Sequence, residues 1–265
     1  MKESKLHFQR IEFKYILNKK QYYEIKHRLL HFFDHDAFSS HEGTYEVISL
    51  YFDSPLFYYY AEKIDGVKRR KKIRLRTYRH EGNYANNLFL EIKRKHDAVV
   101  LKDRILLSQE DYHQLLSDHQ LKLSAADDSQ RSNVVNELHL ESSRLSLEPQ
   151  VLVAYTREPY LGTFDKNTRI TFDYDIKARM SKTLYDGEKE RNCDVSEGRV
   201  IMEVKFRQKM PEYVAQIIAE YNLGRVPYSK YCEGLEACYS LPLLSFVGRT
   251  AQSDTLALKR DQLLV

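Results

Sequence analysis

The sequence lacks the segments that would direct it into a membrane or out of the cell. No apolar run approaches the roughly 20 residues that a helix needs to cross a bilayer. The first five residues are mostly polar and no apolar core follows them, so we expect no secretory signal peptide. These absences predict a cytoplasmic protein without a membrane span of its own.

Cysteine is scarce, and tryptophan is absent. The three cysteines, Cys193, Cys232 and Cys238, are odd in number and form no C-x-x-C pair. This usage is typical of reduced thiols in an intracellular protein and argues against a disulfide framework. The sequence also has no G-x-x-x-x-G-K-S/T loop, which disfavours a P-loop kinase.

Positive charge is present, and it is concentrated in one part of the chain. The formal net charge is only +4, but residues 68–104 contain 13 Lys and Arg against 4 Asp and Glu, a local charge of +9. The remaining residues therefore carry −5. A total of +4 is too small to require nucleic acid as a partner, whereas the local +9 predicts an anionic ligand.

This basic segment alternates between charged and apolar residues with the period of a β-strand. Arg74 and Arg76 share one face of the predicted strand, and Ile73 and Leu75 share the other. The runs at residues 88–95 and 101–105 repeat the pattern. A basic face on one strand is usually the solvated side of an antiparallel sheet. If distant strands share the pattern, however, a folded sheet collects many cations on one surface.

Strand patterns recur along the chain, at residues 7–17, 46–53, 149–157, 168–176 and 200–207. A Glu-x-Lys motif appears on three of the predicted strands, as Glu12/Lys14, Glu91/Lys93 and Glu203/Lys205. Helical spacing predicts helices between them, including residues 19–33, 133–147 and 211–221. About eight strands with one apolar and one charged face predict an α+β fold. If the sheet closes, the charged faces point into its lumen.

A lumen with many Lys, Arg and Glu side chains cannot be a hydrophobic core, because buried charge costs several kcal/mol per ion unless it is paired or solvated. It suits a wet tunnel whose cations bind a polyanion and whose carboxylates hold a divalent metal. Phosphate chains need these groups: Arg and Lys for the non-bridging oxygens, and carboxylate-bound Mg²⁺ or Mn²⁺ for the transferring group.

Short motifs in a fixed order carry a family resemblance over nearly the whole chain. They lie at residues 12–17, 47–53, 73–78, 89–93, 101–104, 155–157, 169–171, 202–205 and 228–231. In this ordered set the chain resembles the polyphosphate polymerase domain of the vacuolar transporter chaperone (VTC) family, one of the triphosphate tunnel metalloenzymes. One Glu-x-Lys is a weak signal, whereas the ordered set is specific.

The resemblance implies a closed, eight-stranded antiparallel β-barrel with helices packed outside. It implies one domain over residues 1–240, followed by a tail or helix at 241–265. It further implies transfer of the γ-phosphate of ATP to a growing inorganic polyphosphate chain, with Mn²⁺ or Mg²⁺ as the cofactor. ATP, polyphosphate and pyrophosphate are the expected ligands, and nucleic acid is not expected.

The helical phosphate-sensing domain of the eukaryotic relatives is not found in the sequence, so we expect a stand-alone, bacterial-type form. Export of product would then require a separate membrane protein as partner, at the inner face of the membrane.

The resemblance also implies roles for individual residues. Glu203 is expected to be the metal ligand, and Tyr155 and Ser229 are expected to donate hydrogen bonds to phosphate. The expected catalytic, phosphate-binding cations are Lys14, Arg74, Arg76, Lys93, Lys102, Arg157, Arg169 and Lys230. The roles of four further lumen residues stay open: Glu12, Glu91, Arg104 and Lys205.

Two other functions remain as alternatives. One is a triphosphate or nucleotide hydrolase of the same superfamily, and the other is a non-catalytic module that binds polyphosphate. Tunnel hydrolases usually carry Glu-x-Glu-x-Lys in the first strand, whereas here Arg10 takes the place of the first Glu. Fewer carboxylates favour holding a long anion over activating water. A non-catalytic module could lose Glu203, which is present.

Overall fold

The computed structural model describes residues 11–36, 43–96, 99–118, 129–185 and 192–239. Its elements, in chain order, are β1 (Ile11–Leu17), α1 (Lys19–Leu29), β2 (Phe33–His35), β3 (Tyr45–Asp53), α2 (Tyr58–Ile64), β4 (Arg69–His80), β5 (Asn83–Tyr84), β6 (Leu88–His96), β7 (Val99–Leu107), α3 (Gln109–Asp118), α4 (Ser129–Leu145), β8 (Glu148–Gly162), β9 (Arg169–Met180), β10 (Cys193–Asp194), β11 (Val200–Phe206), α5 (Glu212–Glu220) and α6 (Lys230–Tyr239). Residues 7–10 of the first predicted strand and the tail at 241–265 lie outside the described residues.

Eight strands form one antiparallel path in the order β1-β11-β9-β8-β3-β4-β6-β7, and β2, β5 and β10 pair at its sides. The predicted α+β class and the eight main strands are confirmed. The predicted closure is wrong, because within the described residues β1 and β7 do not pair with each other. The sheet is an open, curled half-barrel.

An ion pair across the concave side of the sheet brings its two ends together. Glu12 on β1 lies 3.9 Å from Nζ of Lys93 on β6, although these strands are far apart in the sheet order. Backbone pairing would require two strands to approach within about 5 Å. Within the described residues, β1 and β7 make no such pairing, and the contact of Glu12 with Lys93 is made by long side chains instead.

The register of the strands places their charged residues on one common face, which we call the inner face. Glu203 on β11 lies opposite Lys14 on β1 and Thr171 on β9. Arg74 on β4 lies opposite Tyr51 on β3 and Glu91 on β6. The alternation that was visible in each separate strand is therefore continuous across the sheet.

The other, outer face is apolar and is covered by helices, as predicted. Residues of α3 and α4 pack on Ile73, Leu75 and Leu90, while residues of α1 and α5 pack on Phe172 and Val204. Helix α1 starts directly after its cap residue Asn18, whose side chain accepts a hydrogen bond from the backbone N–H of Gln21.

Helix α6 departs from the prediction that helices pack only outside. Tyr231 and Leu235 of α6 lie in an apolar cluster with inner-face residues. The sheet residues of this cluster include Val47, Val151, Val153 and Ile201. The inner face is thus apolar where α6 covers it and charged elsewhere, and α6 brings Lys230 to the boundary.

A bulge in β9 explains part of this apolar region. Asp175 has a φ of +49°, and the register between β8 and β9 shifts between Ala154 and Thr156. Beyond the bulge, Ile176 lies in the cluster under α6. Regular alternation predicted Ile176 on the same face as Phe172, and this was wrong because one extra residue reverses the faces of a strand.

The buried carboxylate of Asp53 fixes the position of α6. It accepts hydrogen bonds from the backbone N–H groups of Tyr59 and Tyr60 at the start of α2. It also accepts one from the hydroxyl of Tyr231, at 2.5 Å. The end of β3, the start of α2 and the residue after Lys230 are therefore held at one point.

Close packing of α6 on the sheet gives a first prediction, for Gly234→Leu. A Cβ at Gly234 would lie 3.0 Å from Val153 and 3.1 Å from Ala178. We expect this substitution to lower the free energy of unfolding by about 1–3 kcal/mol, because overpacking forces the helix outwards. Gly224→Leu is the control, since a Cβ there has no neighbour within 4 Å. Equal urea midpoints for the two variants would contradict the inward position of α6.

Candidate functional site

Glu203 lies at the centre of a cationic cluster on the inner face. Its carboxylate oxygens are 3.0 Å from the amino groups of Lys205 and Lys230. They are 3.4 Å from Lys14 and 3.5 Å from Arg157. Burial opposes ionisation, but these four cations hold the pKa of Glu203 well below its usual range. The carboxylate is therefore ionised and shared among cations from three strands and one helix.

Asp173 is a second buried carboxylate in this cluster, and the sequence analysis did not assign it to the site. Arg157 donates two hydrogen bonds to it, both of 2.7 Å, and the amino group of Lys230 lies 2.6 Å away. Burial disfavours its charge, yet Arg157 and Lys230 lower its pKa. A signal was available, because Asp173 alternates with apolar residues on the same strand face as Arg169.

A second cluster surrounds Glu91. Arg74 lies 2.7 Å from its carboxylate, Lys102 lies 2.5 Å away, and Arg76 lies 3.9 Å away. Burial acts against ionisation, but Arg74, Arg76 and Lys102 hold the pKa of Glu91 well below its usual range. Glu91 thus organises the cations of β4 and β7 as Glu203 organises those of β1, β8, β11 and α6.

Glu12 links the two clusters. Its carboxylate is 3.3 Å from Lys14, which also contacts Glu203, and 3.9 Å from Lys93. Burial and the charge of Glu203 oppose its ionisation, but Lys93, Lys205 and Lys14 together lower its pKa to about 2. The predicted cations from both edges of the sheet therefore converge on one site.

The two predicted hydrogen-bond donors lie in this site with unequal surroundings. Arg157 and Lys230 lie over the ring of Tyr155, at 5.3 and 4.7 Å from its centroid, and Arg76 donates to its hydroxyl at 3.4 Å. The hydroxyl of Ser229 instead accepts a hydrogen bond of 2.5 Å from Lys72. Tyr155 is the stronger candidate for a direct phosphate contact.

Two predicted cations lie apart from the clusters. Arg169 is on the inner face, but its guanidinium lies 3.0 Å from Asp36 and 3.5 Å from the hydroxyl of Tyr45. Arg104 is exposed and lies over the ring of Phe89, at 4.8 Å. The structure therefore brings together the predicted residues other than these two, which occupy the periphery.

Tyr51 and Lys72 are inner-face residues that the sequence analysis did not assign to the site. The hydroxyl of Tyr51 accepts a hydrogen bond of 2.8 Å from Arg74. Burial favours the neutral phenol, but Arg74, Arg76 and Lys72 lower its pKa to about 8. Nothing in the local pattern of β3 marks Tyr51, because its cations come from the neighbouring strand β4.

Cations remain in excess on the inner face even after this pairing, and the lowered pKa values of two lysines indicate this excess. Burial, with Lys14 and Arg74 as neighbouring cations, lowers the pKa of Lys93 to about 8. Burial, with Arg74 and Arg76, lowers the pKa of Lys102 to about 7 although Glu91 opposes the shift. The field of the site favours the arrival of negative charge.

The site fits a divalent metal only in a restricted way. Among the described residues, no group of three or more His, Cys, Asp and Glu is placed to hold an ion. Mg²⁺ commonly uses one or two carboxylates, with water and phosphate oxygens completing its shell. Glu203 can supply such a carboxylate, and the buried hydroxyl of Thr171 opposite it has no hydrogen-bond partner among the described residues. This donor set fits a metal that arrives with phosphate.

Comparison with solved structures supports the fold. A candidate adenylate cyclase from Bacillus halodurans superposes with a TM-score of 0.50 at 13% identity, over 84% of this chain and 94% of that chain. A protein from Pyrococcus horikoshii OT3 gives a TM-score of 0.44 at 17% identity, over 84% and 96%. The Mimivirus capping enzyme triphosphatase gives 0.30 at 9% identity, over 80% and 87%. At 13% identity, the likeness to the candidate adenylate cyclase concerns the fold alone.

Comparison at the level of sequence identifies the family. No curated protein matches the chain. Of the helices that the structure describes, none is both long and apolar enough to cross a membrane. The family model of the VTC domain matches residues 9–239, which include all the inner-face residues described above. The chain therefore belongs to the VTC domain family, as its ordered motifs predicted.

Proposed function

We propose that the protein is a metal-dependent polyphosphate polymerase, which transfers the γ-phosphate of ATP to the end of an inorganic polyphosphate chain. The observation that carries this proposal is the inner face, where cations outnumber the carboxylates that organise them. The central cations are Lys14, Lys72, Arg74, Arg76, Lys93, Lys102, Arg157, Lys205 and Lys230, and the carboxylates are Glu12, Glu91, Asp173 and Glu203. A linear polyanion is the ligand whose negative charges such a surface can neutralise along the whole length of the ligand.

Binding would exchange internal ion pairs for contacts with phosphate. Arg157 and Arg74 present planar guanidinium groups, which suit two oxygens of one phosphate. The carboxylates keep these groups in place before substrate binds, so less side-chain entropy is lost on binding. This preorganisation positions a chain end and a nucleotide for reaction.

The transfer needs no nucleophile from the protein. A terminal oxygen of the polyphosphate chain attacks the γ-phosphorus of ATP, the bond from that phosphorus to the β–γ bridging oxygen breaks, and ADP leaves. Lys and Arg side chains orient the two anions and offset their repulsion. A Mn²⁺ or Mg²⁺ ion at Glu203 would add Lewis-acid neutralisation of the phosphate oxygens.

The state of the carboxylates favours transfer to phosphate over hydrolysis. A hydrolase needs a group that activates water, and a good general base has a pKa near the working pH. Glu203 and Asp173 are paired with cations, and the pKa of each carboxyl is lowered. Both are therefore weak bases. Incubation of the protein with ATP and Mn²⁺ tests the choice, since a polymerase forms polyphosphate and a hydrolase forms free phosphate.

We expect tripolyphosphate, pyrophosphate and ATP to stabilise the protein. At 100- to 1,000-fold excess over Kd, a ligand that binds only the folded state raises the free energy of unfolding by about 2–4 kcal/mol. The physical reason is relief of repulsion among the inner-face cations. Urea unfolding at low salt, with and without ligand, measures the effect. The absence of any shift with all three ligands would contradict anion binding on the inner face.

Phosphate binding at pH 8 should be accompanied by uptake of about one proton. The pKa of Lys93 is about 8 and that of Lys102 about 7, so both amines are partly neutral at this pH. A bound anion raises both pKa values, and the amines take up protons. Calorimetry in two buffers of different ionisation enthalpy measures the uptake, which should fall at pH 6 and in Lys93→Met/Lys102→Met. Proton release at pH 8 would contradict the assignment of these lysines to the anion site.

Glu203→Gln tests the metal assignment, because it keeps the size of the side chain and removes its charge. We expect polymer synthesis to fall on the order of 100-fold or more, because a metal ion would no longer neutralise the charge that develops in the transition state. Tripolyphosphate binding should stay equal or become tighter, since one repulsive carboxylate is gone. Arg74→Ala is the contrasting variant and should weaken binding by about 10- to 100-fold. Normal turnover of Glu203→Gln with unchanged metal dependence would refute this role of Glu203.

A further inference from the structure

A second basic site lies at one end of the sheet, away from the clusters of the inner face. It is a cavity of about 380 Å³ between helices α2 and α4, the start of β4, the end of β6 and the start of β7. Its cationic lining residues are Arg69, Arg70, Lys71, Arg94, Lys95 and Arg144. We call it the rim cavity.

The floor of the rim cavity is built from ion pairs on the outer side of the sheet. Lys71 lies 3.0 Å from Glu137 and 2.9 Å from Glu141. Arg94 pairs with Glu137, and Arg144 lies 2.9 Å from Glu141. These contacts tie helix α4 to β4 and β6, so the positions of three cations are set before any ligand binds.

The entrance of the rim cavity has cations without such partners. Within the described residues, Arg69, Arg70 and Lys95 make no ion pair. Burial, followed by the charges of Arg70 and Lys63, lowers the pKa of Lys95. Glu12 opposes this shift, but positive groups predominate at the entrance, which is the arrangement expected of an anion site.

The carboxylates that line the rim cavity do not cancel this charge. Glu141 is shared among Lys71, Arg144 and the hydroxyl of Tyr59, which donates to it at 2.7 Å. Burial raises the pKa of Glu62, and in the part of the chain that the structure describes its buried oxygen Oε2 has no hydrogen-bond partner. A more readily protonated Glu62 repels an anion less and can donate a hydrogen bond to it.

The rim cavity is distinct from the inner face because strand residues alternate. Lys71 and Arg94 reach α4 on the outer side, whereas their neighbours Lys72 and Lys93 belong to the inner face. Arg70 and Lys95 have the inner-face parity but lie near the ends of their strands. The cavity therefore extends from the outer side of the sheet around the ends of these strands. It adjoins the inner face, but its cations are different residues.

We propose that the rim cavity binds an oligophosphate anion, either free tripolyphosphate or the phosphate tail of a nucleotide, at the same time as the inner face is occupied. Its volume is within the range of small-ligand pockets. Arg69 supplies a planar fork for phosphate oxygens, and Lys95 supplies a point charge. This second site goes beyond the proposed polymerase activity, which uses none of these cations.

Calorimetric titration with tripolyphosphate, and separately with ATP, tests the proposal in four proteins. These are the wild type, Arg74→Ala for the inner face, Arg69→Ala/Lys95→Ala for the rim cavity, and Lys20→Ala/Lys68→Ala as the control. The control removes the same charge from exposed positions outside the cavity. Each protein is first checked for a cooperative unfolding transition that leaves it folded under the titration conditions, and low salt is used throughout.

We expect two binding events in the wild type and in the control. Arg69→Ala/Lys95→Ala should weaken one event on the order of 100-fold, because two charge-assisted contacts are lost, and should leave the other unchanged. Arg74→Ala should weaken only that other event. Binding of both ligands at the cavity indicates recognition of phosphate alone, and binding of ATP alone indicates a nucleotide site.

Other outcomes separate this proposal from the polymerase proposal. A single binding event in the wild type that only Arg74→Ala removes would overturn the rim site and leave the inner site standing. An event that only Arg69→Ala/Lys95→Ala removes, with none sensitive to Arg74→Ala, would support the rim site and overturn phosphate binding by the inner face. Equal weakening by Lys20→Ala/Lys68→Ala would show that the effect depends only on the net charge of the protein, and would refute a specific binding site in the rim cavity.

Discussion

Ion pairing on the inner face is the constraint on which the rest of the structure depends. Many cations are removed from bulk water there, and each would cost several kcal/mol if it were left unpaired. Glu203 and Glu91 each hold cations from several strands, and Glu12 joins the two groups. Since these carboxylates contact residues on distant strands, the ion pairs also define how the sheet curls. The ion pairs that compensate the charges are thus also the contacts that connect distant strands.

The inner face could not be charged throughout, and α6 supplies the apolar part that the fold requires. The helix packs Tyr231 and Leu235 on the sheet and delivers Lys230 between Asp173 and Glu203. Its position is held by a hydrogen bond to a carboxylate that is itself buried at the end of β3. A hydrophobic contact therefore places a cation with more accuracy than a surface loop would allow.

Alternation along each strand was enough to predict which residues share the inner face, because the side-chain period of two is a local property. It failed at Asp175, where one bulged residue reverses the faces and moves Ile176 under α6. It also gave no means to find Tyr51 or the inward position of α6, since both depend on partners that are distant in sequence. The open edge likewise depends on how the whole sheet curls, which no single strand encodes.

The carboxylates that compensate the inner-face cations in the folded protein also limit how tightly these cations can bind phosphate. Every phosphate oxygen that approaches Arg157 or Lys230 must compete with Asp173, which holds both at 2.6–2.7 Å. Affinity is therefore the difference between two strong interactions, and not the sum of all cation–phosphate contacts. In the proposed polymerase, which would have to let a growing chain move after each transfer, such partial compensation is an advantage, because a chain bound by uncompensated cations would not advance. The lowered pKa values of Lys93 and Lys102 lie where this compensation is least complete. The half of the inner face around β6 and β7 is accordingly the part that should hold phosphate most strongly.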